Sequence, residues 1–186
     1  MATWMMLRTR GILLALAAGA IAAAVGGCAA TEGPAQTLPV ASVGPARTVT
    51  AAVSQTRIEL VRVLGERALV LSDSQAPVRP AESPLLTVAP RAVYQVLLPK
   101  DPTRGFLVVY EFLDPSHAAA AAAEQQAYLA TGPGRVQTPQ GTVTSIRQVG
   151  STVVLYDWLP GVALDPSAAG IQAALETLGI GFEVPN

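Results

Sequence analysis

Residues 107–112 read LVVYEF and residues 153–158 read VVLYDW; Leu-Asp-Pro-Ser follows each run, at 113–116 and at 164–167. Runs rich in β-branched and aromatic side chains form strands, because those side chains pack well on a pleated, half-buried surface. Asp114 and Asp165 suit an N-cap. Pro115 and Pro166 suit the first helical position, where a missing N–H costs nothing. Each strand therefore leads into a helix. The first helix runs through six alanines to about Ala130, and Gly132-Pro133-Gly134 stops it as a C-cap and turn. The second opens at Asp165 and ends at Gly179.

Working outward, the first run belongs to a strand at residues 106–113, FLVVYEFL, and residues 92–98, AVYQVLL, supply a strand before it, joined by the turn-rich PKDPTRG at 99–105. Residues 142–149 and 152–159 form a hairpin across Gly150-Ser151, a two-residue turn with Gly first. Upstream, residues 51–66 set Val53, Leu60, Val61 and Leu64 at helical spacing, with Glu59–Arg62 and Arg62–Glu66 as i,i+3 and i,i+4 pairs. Ala68–Leu71 either extends this helix or forms a short strand. Pro77, Pro80, Pro84 and Pro90 make 72–90 a long loop or a short-helix excursion.

Residues 51–186 are thus expected to form a single α+β domain. A leading helix precedes two β-β-α units, which make a mostly antiparallel four-stranded sheet with helices packed on one face. The echo between the units is either a structural repeat or independent use of good strand and cap chemistry.

Of the 186 residues, 51% are apolar and 13% charged. The basic residues are scattered, and Lys100 is the sole lysine. Nucleic acid is not an expected partner, because neutralising phosphates requires clustered Lys and Arg. One cysteine, Cys28, and one histidine, His117, exclude an intrachain disulfide and a metal site built on Cys and His clusters. No DxDxDG-like calcium loop is present. No cofactor is expected.

Residues 1–10 carry Arg8 and Arg10, residues 11–25 (GILLALAAGAIAAAV) are uncharged and apolar, and Gly26, Gly27 and Cys28 follow. That order is the order of a signal peptide. The apolar stretch is shorter than the roughly 20 residues a membrane span needs. Val25-Gly26-Gly27-Cys28 resembles the lipobox of bacterial lipoproteins: an aliphatic residue, two small residues and the cysteine. The resemblance covers residues 1–28. It implies a signal peptide of residues 1–27, cleavage between Gly27 and Cys28, and lipidation of the Cys28 thiol. It also implies a place in the bacterial cell envelope, tethered to a membrane on the extracytoplasmic side. Each buried methylene adds about 0.8 kcal/mol, so two or three acyl chains hold a protein firmly. Cleavage would remove Arg8 and Arg10 and no acid, leaving 10 basic against 13 acidic residues. Residues 28–50, small, polar and interrupted by Pro34, Pro39 and Pro45, read as a tether.

Candidate sites lie in the echo. Glu111 and Asp157 are equivalent, each following a tyrosine. Alternation puts them among Leu107, Val109, Val153 and Leu155, where paired carboxylates could do acid/base work; the plainer role is at a solvated strand end or beside an Arg. Tyr110, Phe112, Tyr156 and Trp158 are expected on the opposite face, as core or, if uncovered, as a ligand or dimer surface. His117 falls in the first turn of its helix, facing solvent, with no nucleophile aligned to it. Gly132-Pro133-Gly134-Arg135 lacks phosphate-loop spacing and follows a helix rather than preceding one. With no catalytic constellation visible, the expected function is a non-catalytic binding domain for a protein partner, peptide or small ligand. The alternatives are a carboxylate-based envelope enzyme and a homodimeric structural or assembly factor.

Overall fold

A computed structural model describes residues 49–184. The expected signal peptide, Cys28 and the tether up to residue 48 lie outside the described residues.

Helix α1 (Ala51–Gly65) starts at Thr50, whose hydroxyl accepts a hydrogen bond from the Val53 N–H at 3.3 Å. It buries Val53, Thr56, Leu60, Val63 and Leu64. Val61, expected in that stripe, is instead 44% exposed. Strand β1 (Leu71–Asp73), the short helix α2 (Pro84–Val88) and strands β2 (Arg91–Val96) and β3 (Phe106–Glu111) follow. Helix α3 (Pro115–Ala130) is capped as read from the sequence: the Asp114 carboxylate accepts the His117 N–H at 2.9 Å. The Gly132-Pro133-Gly134 stretch is more than a stop. Thr131 ends α3 and also caps α4 (Gly132–Gln137), in which Pro133 sits in the first turn. Strands β4 (Val143–Val149) and β5 (Thr152–Trp158) meet across Gly150-Ser151, with Gly150 at φ +56°. A 3-10 turn (Pro160–Val162), helix α5 (Ser167–Leu175) and strand β6 (Ile180–Phe182) are the last elements of the described residues.

The class is α+β and the sheet is antiparallel, but it has six strands rather than four, in the order β1-β2-β3-β5-β4-β6. The two additional strands are three-residue edges. Neither has enough alternation to announce itself; each forms by pairing with a strand already in place, β1 on β2 and β6 on β4.

Helices cover both faces of the sheet, not one. Leu107, Val109, Val154 and Tyr156 pack with residues of α1 and α5. Val108, Tyr110, Val153 and Leu155 pack with Leu86 of α2, with Ala118, Ala121 and Ala122 of α3, and with Val78 and Ala81 of the loop between β1 and α2. The physical reason is in the central strands. Val108, Val109 and Tyr110 in β3, and Thr152–Tyr156 in β5, are buried without alternation, which is the pattern of strands covered on both sides. Alanines on α3 let that helix lie close to the sheet.

Buried polar pairs lock the loops. Asp101 accepts from the Leu164 N–H at 3.4 Å, while Asp165 accepts from the Lys100 N–H at 3.0 Å. Each of these two connections thus satisfies a backbone donor of the other. On α3, Gln125 accepts from the Ser83 N–H and donates to the Ala81 carbonyl, both at 2.7 Å, holding the loop that leads into α2.

Candidate functional site

The echo strands β3 and β5 are neighbours, and their register decides the fate of every candidate residue. Leu107 lies opposite Tyr156 and Tyr110 opposite Val153. Residues directly opposite each other share a face. Tyr156, however, is the echo equivalent of Tyr110, not of Leu107. Equivalent positions therefore point to opposite faces all along the pair. Tyr110 enters the core under α3, and Tyr156 enters the core under α1 and α5. Both are at most 1% exposed. Phe112 packs at the margin of the first cluster and Trp158 at the margin of the second. The four aromatics form no common platform.

The same parity separates the carboxylates. Glu111 pairs with Thr152 at one end of β5, on the α1/α5 side. Asp157 stands at the other end of β5, on the α3 side, opposite Thr144. The two do not converge, so an acid/base pair made of them is ruled out.

Asp157 is nonetheless distinctive. The Thr144 hydroxyl donates to its Oδ1 at 2.5 Å, and no other protein group among the described residues bonds or ion-pairs with it. Burial pushes its carboxyl above the usual carboxylate range, against the opposing pull of the Thr144 hydrogen bond. It lines a cleft of about 350 Å³ at that end of the sheet. Phe106, Val108 and Leu155 make the apolar floor, the Val78–Pro80 segment closes one side, and Thr103 and Arg104 stand on another. Tyr156, Trp158 and Ala163 continue the wall around the end of the sheet. The Trp158 indole N–H donates to Gln172 Oε1 at 2.9 Å, which fixes the ring. Arg79 and Arg104 each already face a carboxylate, Glu82 at 3.5 Å and Asp101 at 3.3 Å.

No family model, curated protein or solved structure matches this chain.

The other polar features are structural. Glu82 Oε1 accepts from Arg91 at 2.6 Å and from the Tyr110 hydroxyl at 2.8 Å, beneath the loop that leads into α2. Burial and the adjoining Glu82 carboxylate push the Tyr110 hydroxyl pKa far up, so it stays a donor. Thr56 and Thr152 share a buried hydrogen bond of 2.7 Å between α1 and β5. His117 is exposed, its Nδ1 2.9 Å from Asp114. Among the described residues, no group of three or more His, Cys, Asp or Glu could hold a metal ion, and no helix is long and apolar enough to cross a membrane.

Sequence reasoning singled out Asp157 but paired it wrongly. It missed Arg79, Thr103, Arg104, Phe106 and Thr144. Those residues come from three separate segments, and Asp157 from a fourth, with no shared motif. The strand register and the packing of the proline-rich loop bring them together.

Proposed function

We propose that this chain is an extracytoplasmic lipoprotein of the bacterial cell envelope, held to a membrane by acyl chains on Cys28. Its body serves as a non-catalytic binding domain. The observation that carries the anchor is one of order: Arg8 and Arg10, an apolar run at 11–25, then Val25-Gly26-Gly27-Cys28. Cys28 is the sole cysteine, so it has no disulfide partner within the chain.

The cleft beside Asp157 supports a binding role. It is concave, and apolar residues and polar groups, Asp157 among them, line it together, a combination that small-molecule sites use. The rigid sheet behind it suits recognition. A tether of about 22 residues would hold such a domain on the order of 25 Å from the bilayer, within reach of soluble ligands.

The test is the intact mass of the membrane-extracted protein, wild type beside Cys28→Ala. The expected wild-type mass is that of residues 28–186 plus acyl chains, with the acyl mass lost in the variant. An unmodified mass, or one retaining residues 1–27, refutes the anchor.

A further inference from the structure

We infer that the cleft binds an organic amine, its ammonium group meeting Asp157 and its apolar body lying between the Val78–Pro80 segment and Phe106. This deepens the proposed binding role and rests on the cleft being the ligand site.

The argument begins with charge. Asp157 Oδ1 is occupied by the Thr144 hydroxyl, and Oδ2 has no protein donor among the described residues. Holding an ionised carboxylate among apolar groups without a counter-charge is costly. The cleft wall contains two cations: Arg104 is held by Asp101 at 3.3 Å, and Arg79 lies 3.5 Å from Glu82, a carboxylate it shares with Arg91 at 2.6 Å. Among the described residues, neither arginine ion-pairs with Asp157, whose second oxygen is left for a donor that enters the cleft. A free carboxylate oxygen accepts from an ammonium group and repels an anion, so at this end of the cleft a positive group is favoured over a negative one.

Shape and ring placement point the same way. A volume of about 350 Å³ is at the lower end for ligand sites, suiting a small molecule. Phe106 precedes Leu107 and Asp157 follows Tyr156, the two residues paired in register, so the phenyl ring and the carboxylate are neighbours on one face. Trp158 lies on the adjoining wall. Aromatic faces beside a carboxylate attract an ammonium group through the ring quadrupole as well as through charge. The floor residues Val108 and Leu155 leave room for an apolar body and offer it no polar partner.

The experiment titrates the full chain in detergent at neutral pH with three probes of equal size: 2-phenylethylamine, 2-phenylethanol and phenylacetate. Binding is followed by calorimetry and by chemical-shift changes at the Trp158 indole N–H. The expected result is saturable binding of the amine, at least tenfold tighter than either control, with the Trp158 signal moving. Asp157→Asn, which keeps an acceptor for Thr144, is expected to lose at least tenfold in amine affinity. Phe106→Ala is expected to weaken the amine several-fold. If phenylethanol or phenylacetate binds at Trp158 as well as the amine does, the amine assignment is overturned while the cleft remains a binding site. If none of the three binds, the assignment and the cleft reading both fall, and the mass test of the Cys28 anchor is unaffected. The probe comparison uses wild-type protein alone, so it decides the matter even if a variant misfolds.

Discussion

Arg147 and Gly181 form a pair whose coupling can be worked out from the structure. They face each other across β4 and β6. The Arg147 side chain passes over Gly181 and reaches the end of α5. Its Nε donates to the Leu178 carbonyl at 2.7 Å, and one terminal nitrogen donates to the carbonyls of Glu176 at 2.8 Å and Gly179 at 3.3 Å. A cation here satisfies orphan carbonyls and complements the negative end of the helix dipole. The Nε bond is partly buried, while the other two are exposed. Allowing about 1 kcal/mol for the first and about half that for each of the others, Arg147→Ala should cost about 2 kcal/mol. For a domain of about 140 residues this lowers Tm by roughly 7 °C. A Cβ at position 181 would fall on the Arg147 guanidinium. Gly181→Ala should therefore dislodge the arginine and cost about the same 2 kcal/mol. The double variant should also cost about 2 kcal/mol, because the clash disappears with the arginine. Urea and thermal unfolding of the four proteins, followed by circular dichroism, measure this cycle. Additive costs, near 4 kcal/mol for the double variant, would refute the reasoning that Gly181 is kept small for Arg147.

Three further outcomes follow from particular residues. Ala68 sits at φ +56° just past α1, so Ala68→Gly should raise stability by about 0.5–1 kcal/mol in the same unfolding assay; a loss of stability would show that the left-handed conformation is not strained. Tyr110→Phe should cost about 1–2 kcal/mol, since it strips a 2.8 Å donor from a carboxylate beneath the loop, and urea unfolding showing no change would mean water replaces the hydroxyl. Asp157 has a folded-state pKa above its unfolded value of 3.8, so its ionised form is penalised in the fold: the penalty is absent well below that value, where both states are protonated, and grows as pH rises through it towards the folded value. Asp157→Asn should accordingly raise Tm at pH 7 and leave it nearly unchanged at about pH 2.5, well below the unfolded value, and an equal gain at both would contradict burial as the cause.

What the sequence alone determined was local. The cap at Asp114, the extent of α3, the hairpin at Gly150-Ser151 and the four longer strands all follow from residues within a few positions of one another. The strand character of β3 and β5 was equally plain, and their unbroken apolar runs also carried the signal for a sheet covered on both faces, which was read as one. Tertiary structure decided the rest. The edge strands β1 and β6 exist only because β2 and β4 offer unpaired backbone to them. The separation of Glu111 from Asp157, and of Tyr110 from Tyr156, depends on one long-range fact, the register that sets Leu107 opposite Tyr156. A shift of one residue would exchange the faces, because side chains alternate with a period of two. The cleft is assembled the same way. Local chemistry placed Asp157 on a strand, but the register and the fold of a proline-rich loop chose its neighbours and left its second oxygen without a protein donor among the described residues.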